Sequence, residues 1–240
     1  ALYSQLYYYE KFGITCKTGY NVDSFGHNAM MPQLLNKGGM TSYVFQSPDI
    51  SENSEIPENL FWWDSPDGSR VMTYRTPTGY VAHGKEDIDR KLDIIEQRAE
   101  ETGHGMMLFY GVGNHGGGPT RRDVERVLAM KEWPLYPTIK FGTMHEFYHE
   151  LEQWRDQFEV VDHELNFIFT GCYTSQSRIK MANRISEDRL YASEVLTGIS
   201  SAFAGGRSDT KSFEQAWRNT LFNHFHDILP GSGKVDTREY

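Results

Sequence analysis

Gly19-Tyr20-Asn21-Val22-Asp23-Ser24-Phe25-Gly26-His27-Asn28 is the stretch on which the reading of this chain turns. A short apolar run, Phe12 to Cys16, precedes it, and a helix-like run, Met30 to Lys37, follows it. The order is strand, loop, helix, and in α/β folds functional groups collect where strands end and loops begin. Asp23 stands at that point beside an aromatic residue, a glycine and a histidine. A carboxylate so placed can act as a nucleophile, a base or a metal ligand. The same Asp could instead cap the following helix or close a turn. The pattern alone leaves both roles open.

Working outward, Ala1 to Phe12 has helical spacing of Leu2, Leu6, Tyr9 and Phe12, with Gly13 as its stop. Ile14 to Tyr20 is the strand entering the loop, Met30 to Lys37 a short helix, and Ser42 to Gln46 a second strand. Leu60 to Asp64 and Arg70 to Arg75 flank Ser65-Pro66-Asp67-Gly68, a hairpin signal with turn chemistry. Lys85 to Glu101 is an amphipathic helix. Gly103 to Gly113, with its apolar run Met106 to Tyr110, reads as a strand buried on both faces. Thr120 to Lys131 is a helix with Thr120 as N-cap and Asp123 three residues on. Ile139 to Gly142 and Phe158 to Asp162 are further strands, with a helix from Met144 to Gln157 between them. Strands alternating with helices make an α/β fold with a parallel sheet or barrel. The pattern then changes to long helices, Arg184 to Ala204 and Ser212 to Phe225, so an α/β domain over 1–175 and a helical one over 176–240 are expected.

Composition narrows the function. The net charge of -9 excludes a broad phosphate-binding footprint, so no nucleic-acid partner is expected. No run reaches the apolar length of a membrane span, so no membrane partner is expected either. The aromatic share, 14%, suits stacking on sugar rings as well as an ordinary core. Cys16 and Cys172 form neither a metal pair nor a disulfide framework, which points to a reducing compartment and a cytoplasmic location. The loop Gly111-Val112-Gly113-Asn114-His115-Gly116-Gly117-Gly118-Pro119-Thr120 lacks the Gly-Lys-Ser/Thr ending of a phosphate loop, so its glycines serve close approach of backbone to a ligand. The cluster Asn223-His224-Phe225-His226-Asp227-Ile228-Leu229-Pro230-Gly231-Ser232 packs two histidines and an aspartate at a helix end. On a helix His224 and His226 would point in different directions, so at most one would face a given metal. Asp23 and His226 are suitable zinc donors, yet two donors do not close a site.

The central stretch, the Gly111 to Thr120 loop, Gly171-Cys172-Tyr173-Thr174-Ser175 and His224 to Gly231 occur in this order over essentially the whole chain. Together they resemble glycoside hydrolase family 38, the retaining α-mannosidases. The resemblance implies an incomplete seven-stranded β/α barrel followed by the start of a helical bundle. It also implies one zinc ion held by two Asp and two His. On this pattern Asp23 is nucleophile and zinc ligand, and His226 is a second ligand. Asp227 holds a sugar hydroxyl, Phe25 stacks on the mannose, and Tyr80 bonds the nucleophile. The substrate implied is a mannose-containing carbohydrate.

The sequence also departs from the family pattern. It holds no His-x-Asp, the motif that supplies the family's remaining ligands from the first barrel strand. A truncated, inactive fragment is therefore expected, with the other ligands, the later β domains and any oligomer contacts outside it. Asn114 stands where many relatives carry an acid/base Asp, and an amide cannot donate a proton in that way. Glu164 is the first substitute, and His115 a weaker one. The opposing reading is a catalytically silent carbohydrate-binding protein on the same fold. A deacetylase-like zinc enzyme would use His145 and His149, but these fall on an outer helix beside Glu146 and Glu150.

Overall fold

A computed structural model describes residues 1–49, 56–114, 116–234 and 236. The chain divides into two compact units, Ala1–Ile168 and Phe169–Tyr240. The first is a mixed α/β unit, as the alternation of strands and helices implies.

Its sheet contains, among the described residues, β1 (Thr18–Asn21), β2 (Ser42–Phe45), β3 (Leu60–Asp64), β4 (Arg70–Arg75) and β5 (Val160–Val161), in the order β1-β2-β4-β3-β5. Every neighbouring pair is parallel except β3 with β4. That antiparallel pair is the hairpin expected from Ser65-Pro66-Asp67-Gly68. Ser65 N–H donates to the Ser69 carbonyl at 2.8 Å, Gly68 takes φ 83°, and Arg70 grips Asp64 through two bonds of 2.6 and 2.7 Å. The register places Tyr43, Phe45, Phe61, Trp63 and Val71 in one cluster, and Val44, Leu60, Met72 and Tyr74 in another. Successive side chains of a strand point to opposite faces, so both faces of this sheet are buried. The helix α2 (Met31–Lys37) covers the first cluster through Leu35, and α5 (Met144–Leu151) covers the second through Tyr148 and Leu151. Gly19 lets β1 pack against α2. A Cβ there would come within 2.6 Å of Leu35 Cδ2 and 3.0 Å of Tyr43 Cδ2.

The helices α3 (Lys85–Thr102) and α4 (Arg121–Met130) enclose a third cluster around Ile88, Leu92, Val127 and Met130. Thr120 caps α4 in a reciprocal box with Asp123, as its spacing foretells. At the start of the chain, α1 (Leu2–Phe12) ends on Gly13 in the left-handed conformation.

Two expected strands do not form. Residues 105–110 and 138–142 carry no strand pairing. In the first run Met106 and Met107 share one cluster, and only from Met107 to Tyr110 do successive side chains alternate between two clusters. Met107 and Phe109 join the second cluster, while Leu108 and Tyr110 join the third. Its backbone is held by a side chain instead of a ladder. Tyr74 OH donates to the Met107 carbonyl at 2.6 Å and accepts from Met107 N–H at 3.1 Å. A continuous apolar run reports burial on two sides and is silent about who shares the backbone bonds. The helix expected over Met144–Gln157 also tightens after Leu151 into a 3₁₀ turn over Glu152–Gln157.

In the second unit, α6 (Ser177–Ala204) and α7 (Thr210–Phe222) follow a 3₁₀ turn at Thr170–Tyr173. Among the described residues no helix is long and apolar enough to cross a membrane.

Candidate active site

β1 delivers the chain into the central loop, and His27 fixes the loop's far end. Its backbone pairs with Leu165 in both directions, at 2.8 and 2.9 Å. Its ring is 1% exposed. Nε2–H donates to the Ser47 carbonyl at 2.7 Å, so Nδ1 accepts from Tyr43 OH at 2.8 Å. Burial lowers the imidazole pKa to about 4, so the ring is neutral at ordinary pH. Ser24 Oγ donates to Asn21 Oδ1 across the turn. Between these anchors Asp23 and Phe25 are half-buried. Sequence reasoning gave His27 no task, because its partners lie 16 and 20 residues away.

Tyr80 meets this loop from the segment after β4. Its hydroxyl donates to Asp23 Oδ2 at 3.0 Å, while its ring packs against the second cluster. The expected contact between Tyr80 and Asp23 is thus present. The glycine-rich loop backs the same segment. Gly111 N–H donates to the Ala82 carbonyl at 2.7 Å, and a Cβ on Gly113, at φ 72°, would lie 2.5 Å from Val81 Cγ2. Here the close approach is of backbone to a neighbouring segment. Asn114 is exposed on this loop, and His115 lies outside the described residues. Glu164 is exposed, one residue before the Leu165 that pairs with His27.

In the second unit, the histidine cluster lies in turns beyond the end of α7, not on a helix as its sequence implied. His224 Nε2 reaches Asn183 Oδ1 at 2.7 Å and Glu187 Oε1 at 3.3 Å, both on α6, which ties it to a structural task. His226 is half-buried against Phe225, ring centroids 4.3 Å apart, with Nε2 3.8 Å from Asp227 Oδ2. Ser232 Oγ donates to Asp227 Oδ1 at 3.0 Å. Lys180, unremarked in the sequence, joins two of the motifs. Its ammonium donates to the carbonyls of Ser175 and Pro230, the second at 3.0 Å. Burial depresses its pKa, though the neighbouring Cys172 works the other way.

As donors, the Asp23 carboxylate and the His226 imidazole fit zinc. They fall in different units. Among the described residues, no three Asp, Glu, His or Cys side chains gather into a metal site.

Two family models match the chain. The model "Glycosyl hydrolases family 38 N-terminal domain" matches residues 1–169, and "Alpha mannosidase middle domain" matches residues 168–239. Alpha-mannosidase G of Dictyostelium discoideum is 31% identical over 232 residues, which are 96% of this chain and 21% of that protein. An alpha-mannosidase of Saccharomyces cerevisiae is 29% identical over 243 residues, 96% of this chain and 22% of its own length. The chain thus spans about a fifth of the curated relatives it matches. The crystal structure of an alpha-mannosidase from Enterococcus faecalis V583 superposes with a TM-score of 0.76 at 19% identity, covering 96% of this chain and 28% of that one, a likeness of fold.

Proposed function

Because this chain belongs to the glycosyl hydrolases of family 38, we propose that the whole protein is a zinc-dependent retaining α-mannosidase acting on terminal α-mannosides. The observation that carries the proposal is the Asp23 carboxylate at the end of β1, with Oδ2 held by Tyr80 OH at 3.0 Å. The relatives are alpha-mannosidases by name, which supports the substrate class. The five-stranded sheet is read as part of a β/α barrel. Free Cys16 and Cys172 suit a reducing compartment.

In the proposed reaction a carboxylate oxygen of Asp23 attacks the anomeric carbon, and the bond to the leaving oxygen breaks as that oxygen takes a proton. Water then attacks the same carbon, gives up a proton, and releases mannose and the free carboxylate. Tyr80 keeps one carboxylate oxygen in place, so the reacting oxygen starts close to its attack direction. Phe25 stacks on the sugar, and Asp227 accepts a bond from a sugar hydroxyl. The Asn114 amide is not a usable acid at ordinary pH, so proton transfer is assigned to Glu164. Asp23 and His226 would hold the zinc, which when bound keeps the carboxylate ionised and grips sugar hydroxyls.

The test is turnover of an aryl α-mannoside by the full-length protein supplied with zinc, alone and as Asp23→Ala. Turnover that disappears in a folded Asp23→Ala variant is expected. A variant with wild-type activity would refute the assignment. Asn114, an amide where many relatives carry an acid/base Asp, favours a second reading, a carbohydrate binder without turnover. Mannose binding with no product under zinc would establish it.

A further inference from the structure

The segment that carries Tyr80 is fastened by residues far from Asp23. Val81 offers its carbonyl to Lys91 Nζ on α3. Lys91 is 12% exposed and is held in turn by Asp87 at 3.2 Å. Ala82, fully buried, is bridged to Gly111 at 2.7 Å. His83 and Gly84 end on one carboxylate, that of Asp123. Gly84 N–H donates to Oδ1 at 2.9 Å, and His83 Nδ1 donates to Oδ2 at 3.1 Å. Asp123 is itself 1% exposed, and it receives Thr120 N–H at 2.7 Å and Thr120 Oγ1–H at 2.8 Å.

A helix cap needs only the bonds between Thr120 and Asp123. The additional bonds to His83 and Gly84 serve a different end. They tie the start of α3 and the Tyr80 segment to the first turn of α4. Four successive residues, Val81 to Gly84, are thus each anchored, and Tyr80 is the next residue back. A buried carboxylate receiving this many donors keeps one geometry, since any departure leaves a charge unsatisfied.

We propose that Asp123 and Lys91 are positioning residues for catalysis: one gripping His83 and Gly84, the other the Val81 carbonyl, they form a clasp that holds Tyr80 OH against the Asp23 carboxylate. This rests on the reading of Asp23 as nucleophile. Neither Asp123 nor Lys91 touches substrate in the proposal. Their effect reaches the reacting carbon only through Tyr80.

The experiment is a double-mutant cycle in the full-length protein with an aryl α-mannoside, using Asp123→Asn, Lys91→Met and Tyr80→Phe. Asp123→Asn should lower kcat by roughly tenfold or more with little change in KM, because misplacing a positioning group costs on that scale. Lys91→Met should act in the same direction. In the Tyr80→Phe background the loss from Asp123→Asn should shrink to within about twofold, because the two changes disable one device. A loss of undiminished size in that background would overturn the proposal, as would wild-type kcat in Asp123→Asn. Amide hydrogen exchange on the same variants gives an independent reading. Gly84 and Gly111 should exchange at least about tenfold faster in Asp123→Asn, with the middle of α3 unchanged. If the wild-type protein has no glycosidase activity, the functional reading falls, and exchange alone then judges the clasp. Faster exchange at Gly84 and Gly111 supports it, and unchanged exchange rejects it.

Discussion

Acid should weaken the first unit through His27. The ring is buried and neutral, with its two nitrogens committed to Ser47 and Tyr43. Burial takes its pKa from 6.5 to about 4. The unfolded imidazole binds a proton below its ordinary value, whereas the folded one does so only below about 4. Between those values the unfolded chain holds more protons, so stability drains as pH falls through that window. Each tenfold change in proton affinity is worth about 1.4 kcal/mol, which gives about 3 kcal/mol at full titration. Over the accessible part, from pH 7 to about pH 4.5, the loss is about 2 kcal/mol. Protonation also places a second donor opposite Tyr43 OH, whose own proton then needs a new acceptor. Carboxylates titrate over part of the same range, so the assay is a comparison. Urea unfolding of wild type and His27→Gln is followed at both pH values. The variant starts less stable at pH 7, because the packing against Phe45 and Trp63 is disturbed. Its stability should then fall by about 2 kcal/mol less than that of wild type on going to about pH 4.5. Parallel loss in the two proteins would show that His27 does not titrate through this window, and the argument from its burial would fail.

Gly19→Ala should destabilise the first unit by about 1–3 kcal/mol, the usual cost of overpacking, because its Cβ meets Leu35 and Tyr43; thermal melts would register it. Gly113→Ala meets Val81 at 2.5 Å with φ 72°, so it should displace the Tyr80 segment and lower mannoside turnover more than it lowers the melting temperature. Lys180→Met removes two bonds between the ammonium and backbone carbonyls, and should cost the second unit about 2 kcal/mol in chemical denaturation. An unchanged midpoint would mean water replaces those bonds at no loss.

The parts of the fold that were legible are those set by neighbours in sequence. Pro66, Asp67 and Gly68 announce the hairpin, Thr120 and Asp123 the start of α4, and Gly13 the end of α1. The contact between Tyr80 and Asp23 came only from family resemblance, since the two are 57 residues apart. The tasks of His27, Lys180 and Asp123 were invisible for the same reason. Each acts on residues that periodicity does not link to it. Asp123 is instructive, because its local role as a capping partner was read correctly and conceals its tie to His83 and Gly84. The misreading of residues 105–110 has a different source. Apolar runs record how much surface a segment buries, while strand pairing depends on where another backbone lies.

That same run has a consequence for how damage spreads. Met107 and Phe109 face one hydrophobic cluster, Leu108 and Tyr110 face another, and the peptide between them hangs from the Tyr74 hydroxyl. A hole opened on one side lets the thread shift toward it and withdraws side chains from the other. The two cores therefore share one mechanical element, and Tyr74 is its pivot. Substitutions on its two sides should therefore be coupled, and a double-mutant cycle between Met107→Ala and Leu108→Ala should show a non-additive loss of stability.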